Sequence, residues 1–175
     1  MTHIALLRAI NVGGHTVSME RLRSLFAELG YKNVRTLIAS GNVVFEAGAK
    51  KATVVESAVE KHLEKSLGYK VTTFVRTPDE IAAVVAHEPF PRSMIDNAHA
   101  LWIAFLKDAP STDAARKLST LRCATDDFHI HGRELYWLRR VTSSESKIAG
   151  NAVERALGAP LTARNVTTVK KLAAF

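Results

Sequence analysis

The sequence predicts an α+β protein, a tandem duplication of a βαββαβ unit with ferredoxin-like topology in which each copy is followed by an extra helix. Short apolar runs and longer amphipathic segments alternate in the same order in both halves of the chain. Pro89 and Pro91 separate the halves. Short fragments also recur: Ala58-Val59-Glu60-Lys61 matches Ala152-Val153-Glu154-Arg155, and each fragment lies in a segment that ends in Leu-Gly.

The first half contains the elements of one such unit. The apolar residues 3–10 form a predicted strand that leads into Gly13-Gly14, and Ser18 is placed to cap a helix that ends before Gly30. Two β-rich runs flank a turn at 40–42, which predicts a hairpin. The predicted strands are residues 3–10, 34–39, 43–45 and 71–76, and the predicted helices are residues 19–29, 52–67 and the trailing helix 78–87.

The second half repeats this order after a linker. The prolines within residues 88–93 cannot donate to a strand ladder and turn their preceding residues away from the helical region, so this stretch interrupts regular structure. We therefore predict a first unit over 1–88, a linker over 89–98 and a second unit over 99–175. The second unit has predicted strands at residues 100–106, 128–131, 135–138 and 161–163 and predicted helices at residues 111–121, 144–157 and 166–174.

Composition limits the class of protein. The chain has 175 residues, 47% of them hydrophobic, which is typical of a globular protein with a sizeable core. Its single cysteine, Cys123, excludes an intramolecular disulfide, and no apolar run is long enough for a signal peptide or a membrane helix. We expect a cytoplasmic protein without a membrane partner. The net charge of +7, concentrated towards the C-terminus, mildly favours anionic partners.

Two glycine-containing loops form the first candidate site. In a βαββαβ unit with right-handed crossovers the sheet order is 4-1-3-2, so the loops after the first and second strands share one edge. Backbone N–H groups of such loops and a nearby guanidinium bind phosphate or carboxylate. The predicted ligand-binding residues of this cradle are Arg8, Asn11, Gly13, Gly14, Ser40, Gly41 and Asn42.

A structural interpretation of the same residues stays open. The glycines then only shape turns, Asn11 and Asn42 satisfy loop backbone groups, and Arg8 pairs with a carboxylate across the sheet. Neither a Gly-x-Gly-x-x-Gly motif nor a Gly-x-x-x-x-Gly-Lys-Ser/Thr motif is present, so no dinucleotide or P-loop site is expected.

The start of the last helix is a second candidate site for an anion. Arg164, Asn165, Thr168 and Lys170 gather there, where helix N–H groups favour negative charge. Arg76 occupies the equivalent position of the first unit and is included as a ligand-binding residue. In the alternative interpretation Asn165 caps the helix and the two arginines have a structural role inherited by duplication.

Other motifs favour no chemistry strongly. His129 and His131 face the same way in a strand, but two ligands do not make a metal site and no neighbouring pair in the sequence completes one. We therefore expect no metal and no cofactor. Ser144-x-x-Lys147 is better explained by helix capping than by acyl-enzyme chemistry.

Three segments closely resemble motifs of domain-of-unknown-function family 1697. They are Ala5-Leu6-Leu7-Arg8-Ala9-Ile10-Asn11-Val12-Gly13-Gly14, Thr36-Leu37-Ile38-Ala39-Ser40-Gly41-Asn42-Val43-Val44-Phe45 and Leu161-Thr162-Ala163-Arg164-Asn165-Val166-Thr167-Thr168-Val169. The resemblance implies a bacterial cytoplasmic protein of duplicated α+β architecture, in a family with no established activity.

The chain departs from the family pattern at two positions. Ala9 stands where the first motif usually has glycine, which suggests a position that needs little room but does not necessarily need a positive φ. Val166 stands where the third motif usually has tryptophan, so an aromatic platform for stacking a base is absent there.

The sequence supports three hypotheses of function. The first is a binding module for an anionic small molecule, a nucleotide or a nucleic acid. The second is a small-molecule enzyme whose substrate carries phosphate or carboxylate, and the third is a structural or oligomerising protein without a ligand. Whether any reaction is catalysed is not encoded in a recognisable motif.

Overall fold

The structure, a computed structural model, describes residues 1–38 and 41–175. It is a mixed α+β fold with two four-stranded antiparallel sheets and flanking helices, which confirms the predicted duplicated βαββαβ architecture. The strands are β1 Thr2–Leu7, β2 Lys32–Leu37, β3 Asn42–Glu46, β4 Thr73–Arg76, β5 Ala100–Phe105, β6 Asp126–His131, β7 Glu134–Arg139 and β8 Thr162–Asn165. The helices are α1 Met19–Glu28, α2 Ala52–Leu67, α3 Pro78–Ala86, α4 Arg92–Asp96, α5 Thr112–Ser119, α6 Gly150–Leu157 and α7 Val166–Leu172.

The two sheets have the same topology. Their strand orders are β2-β3-β1-β4 and β6-β7-β5-β8, which is the predicted order 4-1-3-2 in each half. The central pairs are in regular register, with Ala5 opposite Val43 in the first sheet and Ala104 opposite Leu135 in the second. The edge strands are β2 and β4 in the first sheet and β6 and β8 in the second, and within the described residues each has a pairing strand on one side only.

Each sheet buries one face against its own two helices. In the first unit Leu22 and Phe26 of α1 and Val59 of α2 pack with the buried side chains of β1 and β3. In the second unit Leu118 of α5 and Val153 of α6 pack against the corresponding face of the other sheet. Helical side chains at spacings of three and four residues produce these apolar faces, as the periodicity predicts.

The recurring sequence fragment has the same structural role in both units. Glu60 of α2 accepts a hydrogen bond from the backbone N–H of Thr73 at 2.9 Å, and Glu154 of α6 accepts one from that of Leu161 at 3.0 Å. Gly68 and Gly158 then end the two helices in the left-handed conformation. The repeat therefore preserves the connection between the second helix and the fourth strand of each unit.

The chain divides into two compact units. One contains Met1–Ala82 with Leu172–Phe175, and the other contains Ala83–Lys171. The segment predicted as a linker, 89–98, contains the short helix α4. The prolines at 89 and 91 were interpreted as a break in regular structure, but both precede α4 and neither interrupts it. Domains at 1–88 and 99–175 stay a prediction.

Among the described residues, no helix is both long enough and apolar enough to cross a membrane.

Two element boundaries differ from the prediction for local reasons. β1 ends at Leu7 and not at Ile10, because the backbone turns to a positive φ at Ala9. The helix predicted from Ser144 begins at Gly150. Ser146 instead uses its hydroxyl to donate to the Asp126 carboxylate at 2.9 Å, a contact that competes with helix formation.

Candidate functional site

The two glycine-containing loops of the first unit lie in contact at one edge of the sheet. The Leu7 N–H donates to the Gly41 carbonyl at 2.8 Å. A Cβ placed on Gly41 would lie 3.0 Å from the Leu7 Cβ and 3.1 Å from the Ile10 Cβ, and Gly41 has a φ of +71°. Only glycine meets both conditions without strain. We call residues 8–17, 38, 41 and 42 the loop edge; Ala39 and the predicted ligand residue Ser40 lie outside the described residues.

The loop edge concentrates left-handed backbone. Ala9, Asn11 and Ile38 have φ values of 65°, 56° and 49°. Such a conformation costs an alanine or a β-branched residue about 1–2 kcal/mol, so the surrounding contacts must enforce it. The expectation that position 9 does not need a positive φ is wrong. The glycine that is usual there in the family motif suits the observed backbone better than alanine does.

The two asparagine side chains hold the loops in shape. The Asn11 Oδ1 accepts from the Val17 N–H at 2.7 Å and closes the first loop. The Asn42 Nδ2 donates to the Leu37 carbonyl at 3.0 Å, and Asn42 is fully buried. These contacts agree with the structural interpretation of both residues. Asn11 and Asn42 thus build the loop edge, and recognition of a ligand would come from their neighbours.

The loop edge has exposed backbone amides, exposed apolar side chains and one half-buried arginine. Gly13 and Gly14 are exposed, and within the described residues their N–H groups make no hydrogen bond. Arg8, half-buried, follows β1 directly. Val12 is 57% exposed and Ile38 is 51% exposed, which is unusual for large apolar side chains. The arrangement offers N–H donors, a guanidinium and apolar surface at the same edge.

Arg76 and Arg164, two further predicted ligand residues, are buried. Arg76 is fully buried and donates to the Val75 carbonyl at 3.0 Å. Arg164 donates to the Ala163 carbonyl at 2.8 Å and to the Thr162 hydroxyl at 2.7 Å. Desolvation lowers the pKa of the Arg164 guanidinium to about 10. Their matching positions at the ends of β4 and β8 follow the duplication, and their burial gives them no part in the loop edge.

The predicted residues at the start of α7 have separate surroundings. The Asn165 Oδ1 accepts from the Thr167 N–H at 2.9 Å, as expected of a cap. Thr168 is half-buried. Lys170 lines a cavity of about 280 Å³ in the second unit, together with His87, Arg92 and Tyr136. This cavity collects cationic side chains, but it also includes Glu88 and Asp96, so its charge is mixed.

Three histidines form a cluster in the second unit that sequence reasoning missed. His129 and His131 of β6 are joined by His87, which follows α3, and one side-chain nitrogen of each lies within 4.8 Å of the others. The His87 Nε2 and His129 Nε2 atoms are 3.0 Å apart. The rings of His87 and His131 stack with a centroid separation of 3.9 Å. We call these three residues the histidine cluster.

The environment of His87 and His129 lowers the pKa of both imidazoles. Desolvation lowers the pKa of His87, and the nearby His131 and His129 lower it further. Desolvation also lowers the pKa of His129, with contributions from His131 and Arg122. No neighbouring pair in the sequence completes a site with His129 and His131, but His87, which is distant in sequence, is adjacent to them in space. The spacing of His129 and His131 in β6 was the signal present in the sequence, and only the fold brings His87 beside them.

Comparisons with known proteins identify a family but no activity. The sequence profile of a family described as "Protein of unknown function (DUF1697)" matches residues 1–136, so the motif at 161–169 lies outside the match. No curated protein matches the chain. A solved structure, described as that of the conserved bacterial protein SP0830 from Streptococcus pneumoniae, is similar with a TM-score of 0.75 and 23% identity. The alignment covers 99% of this chain and 97% of that one, which supports the fold alone. Because the family profile matches residues 1–136, which are more than half of the chain, the chain belongs to the DUF1697 family of proteins of unknown function.

Proposed function

We propose that the protein binds a small anionic ligand, a phosphate or carboxylate that carries an apolar part, at the loop edge of its first unit. The observation that carries the proposal is the contact between the two loops at Gly41, which brings their exposed residues to one edge. The amides of Gly13 and Gly14 supply donors for an anion, and Arg8, at the start of the same loop, supplies a cation. Val12 and Ile38 supply apolar surface for the rest of the ligand.

Backbone strain supports a binding role over a purely structural one. Two ordinary turns could be built without an alanine and an isoleucine in the left-handed region, yet Ala9 and Ile38 both adopt it where the loops meet. Strained residues of this kind concentrate at ligand sites because the strain holds donors in a geometry that a relaxed loop would lose. The opposite end of the first loop is also held, since the His15 ring stacks on Tyr69 at 3.9 Å.

A thermal-shift experiment with paired compounds tests the proposal. Each pair shares its apolar or sugar part and differs in charge: adenosine monophosphate with adenosine, glucose 6-phosphate with glucose, and hexanoate with hexanol. We expect at least one anionic member to raise the Tm while its neutral partner does not. A ligand present at 100 times its Kd stabilises the folded state by about 2.7 kcal/mol. Equal shifts, or none, within every pair would contradict the proposal.

Two variants locate the binding. Arg8→Gln removes the cation of the loop edge, and Arg155→Gln removes an exposed arginine of α6 in the second unit as a charge-matched control. We expect the first variant to weaken binding about tenfold or more, as loss of a charge-assisted hydrogen bond does, and the second to leave binding unchanged. Equal losses in both variants would indicate a general effect of net charge and not a site.

A further inference from the structure

We propose that the histidine cluster of the second unit, His87, His129 and His131, binds a divalent first-row transition-metal ion, with Zn²⁺ as the expected occupant. The inference is independent of the proposed function, because the loop edge belongs to the first unit. It rests on the number, chemistry, spacing and accessibility of the three imidazoles.

The fold places the three imidazoles together by regular geometry. His129 and His131 are two residues apart in β6, so both project from the same face of the sheet. Tyr136 lies opposite His129 in the register of β6 and β7, and its hydroxyl donates to the Val84 carbonyl of α3 at 2.9 Å. This buried hydrogen bond holds the end of α3 over the histidine-bearing face. His87 follows that end of α3 and meets the pair.

The spacing of the nitrogens suits a metal. Zinc binds histidine nitrogens at about 2.0–2.1 Å, and a tetrahedral arrangement then separates neighbouring nitrogens by about 3.3 Å. The His87 and His129 Nε2 atoms are already 3.0 Å apart, and the three nitrogens span at most 4.8 Å. The widest separation exceeds the tetrahedral one by about 1.5 Å, and the stacked rings of His87 and His131 would turn to direct their nitrogens at one ion.

Three histidines form a donor set of a familiar kind. Three protein ligands leave the fourth position of a tetrahedral zinc ion open to water or to a substrate, whereas structural zinc sites usually have four protein ligands. Imidazole nitrogens favour zinc, copper and nickel over magnesium or calcium. His131 is exposed, while His87 and His129 are half-buried. An ion can therefore arrive from solvent, and its inner ligands are held by packing.

Neighbouring groups are compatible with an ion at this position. Glu134 lies opposite His131 in the register of β6 and β7 and is 8% exposed, so a buried carboxylate projects from the same face. The Phe90 ring lies edge-on to the His129 ring, with the two ring centroids 6.2 Å apart. A carboxylate and an apolar wall beside histidine ligands are the usual outer surroundings of zinc sites.

Metal binding by untagged protein tests the proposal. The chain is freed of metal with a chelator, and Zn²⁺ binding is measured by isothermal titration and by metal analysis after dialysis. We expect one zinc ion per chain, retained on dialysis. Replacement of Zn²⁺ by Co²⁺ is expected to give the intense visible absorption of a four-coordinate site. A wild-type protein that retains no zinc and gives no such absorption would overturn the proposal.

Matched variants assign the ion to the cluster. His129→Gln and His87→Gln each remove one ligand and should weaken zinc binding by more than about 100-fold, beyond the 10–100-fold typical of an outer partner. His99→Gln changes an exposed histidine of the same unit, and Cys123→Ser removes the exposed thiol; both should bind zinc as the wild type does. Circular dichroism verifies that each variant is folded. Undiminished binding by folded His129→Gln, or an equal loss in His99→Gln, would contradict the assignment.

Discussion

At the scale of single residues, the loop edge depends on backbone conformation more than on side-chain chemistry. Gly41 has a φ of +71° and has no room for a Cβ, and Ala9 adopts a left-handed conformation that alanine disfavours. The side-chain amides of Asn11 and Asn42 hydrogen-bond to backbone groups of the loops themselves. In the proposed binding site, contact with the anion is therefore left to backbone N–H groups and to Arg8.

Substitution of Ala9 by glycine should stabilise the protein. Its φ of 65° costs alanine more than glycine, and this gain exceeds the extra entropy of glycine in the unfolded chain, for a net increase of about 0.5–1 kcal/mol in the free energy of unfolding. Urea denaturation measures it. Ala58→Gly, in the interior of α2, is the control and should destabilise by about 1 kcal/mol. A destabilised Ala9→Gly variant would contradict the assigned backbone.

Asp126 should make stability depend on acid pH. Burial opposes its charge, but hydrogen bonds from Thr125, Trp137 and Ser146 and the charge of Arg139 outweigh this and lower the pKa of Asp126. A carboxylate with a lowered pKa in the folded state stabilises it above the unfolded pKa, and that contribution is lost as pH falls through the folded pKa.

The comparison of wild type with Asp126→Asn isolates this contribution. We expect the variant to be less stable by about 1–3 kcal/mol at pH 7 in urea denaturation. The difference should shrink as pH falls below about 4, the ordinary range of aspartate. Asp96→Asn, on the exposed face of α4, should differ from wild type by less than about 0.5 kcal/mol throughout. A pH-independent gap for Asp126→Asn would exclude the ionised carboxylate as its cause.

At the scale of secondary-structure elements, the duplicated glutamates connect each second helix to its fourth strand. Glu60 and Glu154 accept from backbone N–H groups that lie at or just before the start of β4 and β8. The edge strands β4 and β8 have four residues each and therefore form few backbone hydrogen bonds to the neighbouring strand. A side-chain acceptor then contributes substantially to holding each strand in position. This explains why the fragment Ala-Val-Glu-Lys/Arg recurs although most of the sequence has diverged.

Truncation of Glu154 tests that role. Glu154→Ala leaves the Leu161 N–H without this acceptor and should lower the free energy of unfolding by about 1–3 kcal/mol. Glu154→Gln keeps an oxygen acceptor and should lose less than half of that. Arg155→Ala, at the next position of α6, serves as the control and should lie within about 0.5 kcal/mol of wild type. Measurements by urea denaturation that give equal losses for alanine and glutamine would point to the charge and not to the hydrogen bond.

At the scale of the whole molecule, the charge of +7 gives a general attraction to polyanions that must be separated from a specific site. We expect single-stranded DNA of 20 nucleotides to bind weakly, with no preference among sequences. The apparent affinity should fall steeply between 20 and 200 mM salt, with a logarithmic slope of about −0.7 per phosphate contact. Fluorescence anisotropy with two unrelated sequences measures it. Binding that persists at 200 mM salt, or that distinguishes the sequences, would favour nucleic acid over a small anion as the ligand.

Local sequence patterns are enough to predict the architecture and the location of the loops. Apolar periodicity, glycine caps and the repeated fragment depend on neighbours within a few positions, and these local preferences predicted both sheets and their strand order. Predicted element boundaries were wrong where a side chain hydrogen-bonds to a partner distant in the sequence, as Ser146 does to Asp126, because local sequence patterns carry no information about such contacts.

The packed fold establishes which predicted site residues are accessible and which residues meet. It buried Arg76 and Arg164, placed Gly41 against Ile10 and brought His87 to His129, 42 positions away in the sequence, and to His131. The position of a side chain in space depends on how helices and strands pack. Packing is decided by the combined burial of many apolar groups, and no single motif encodes it.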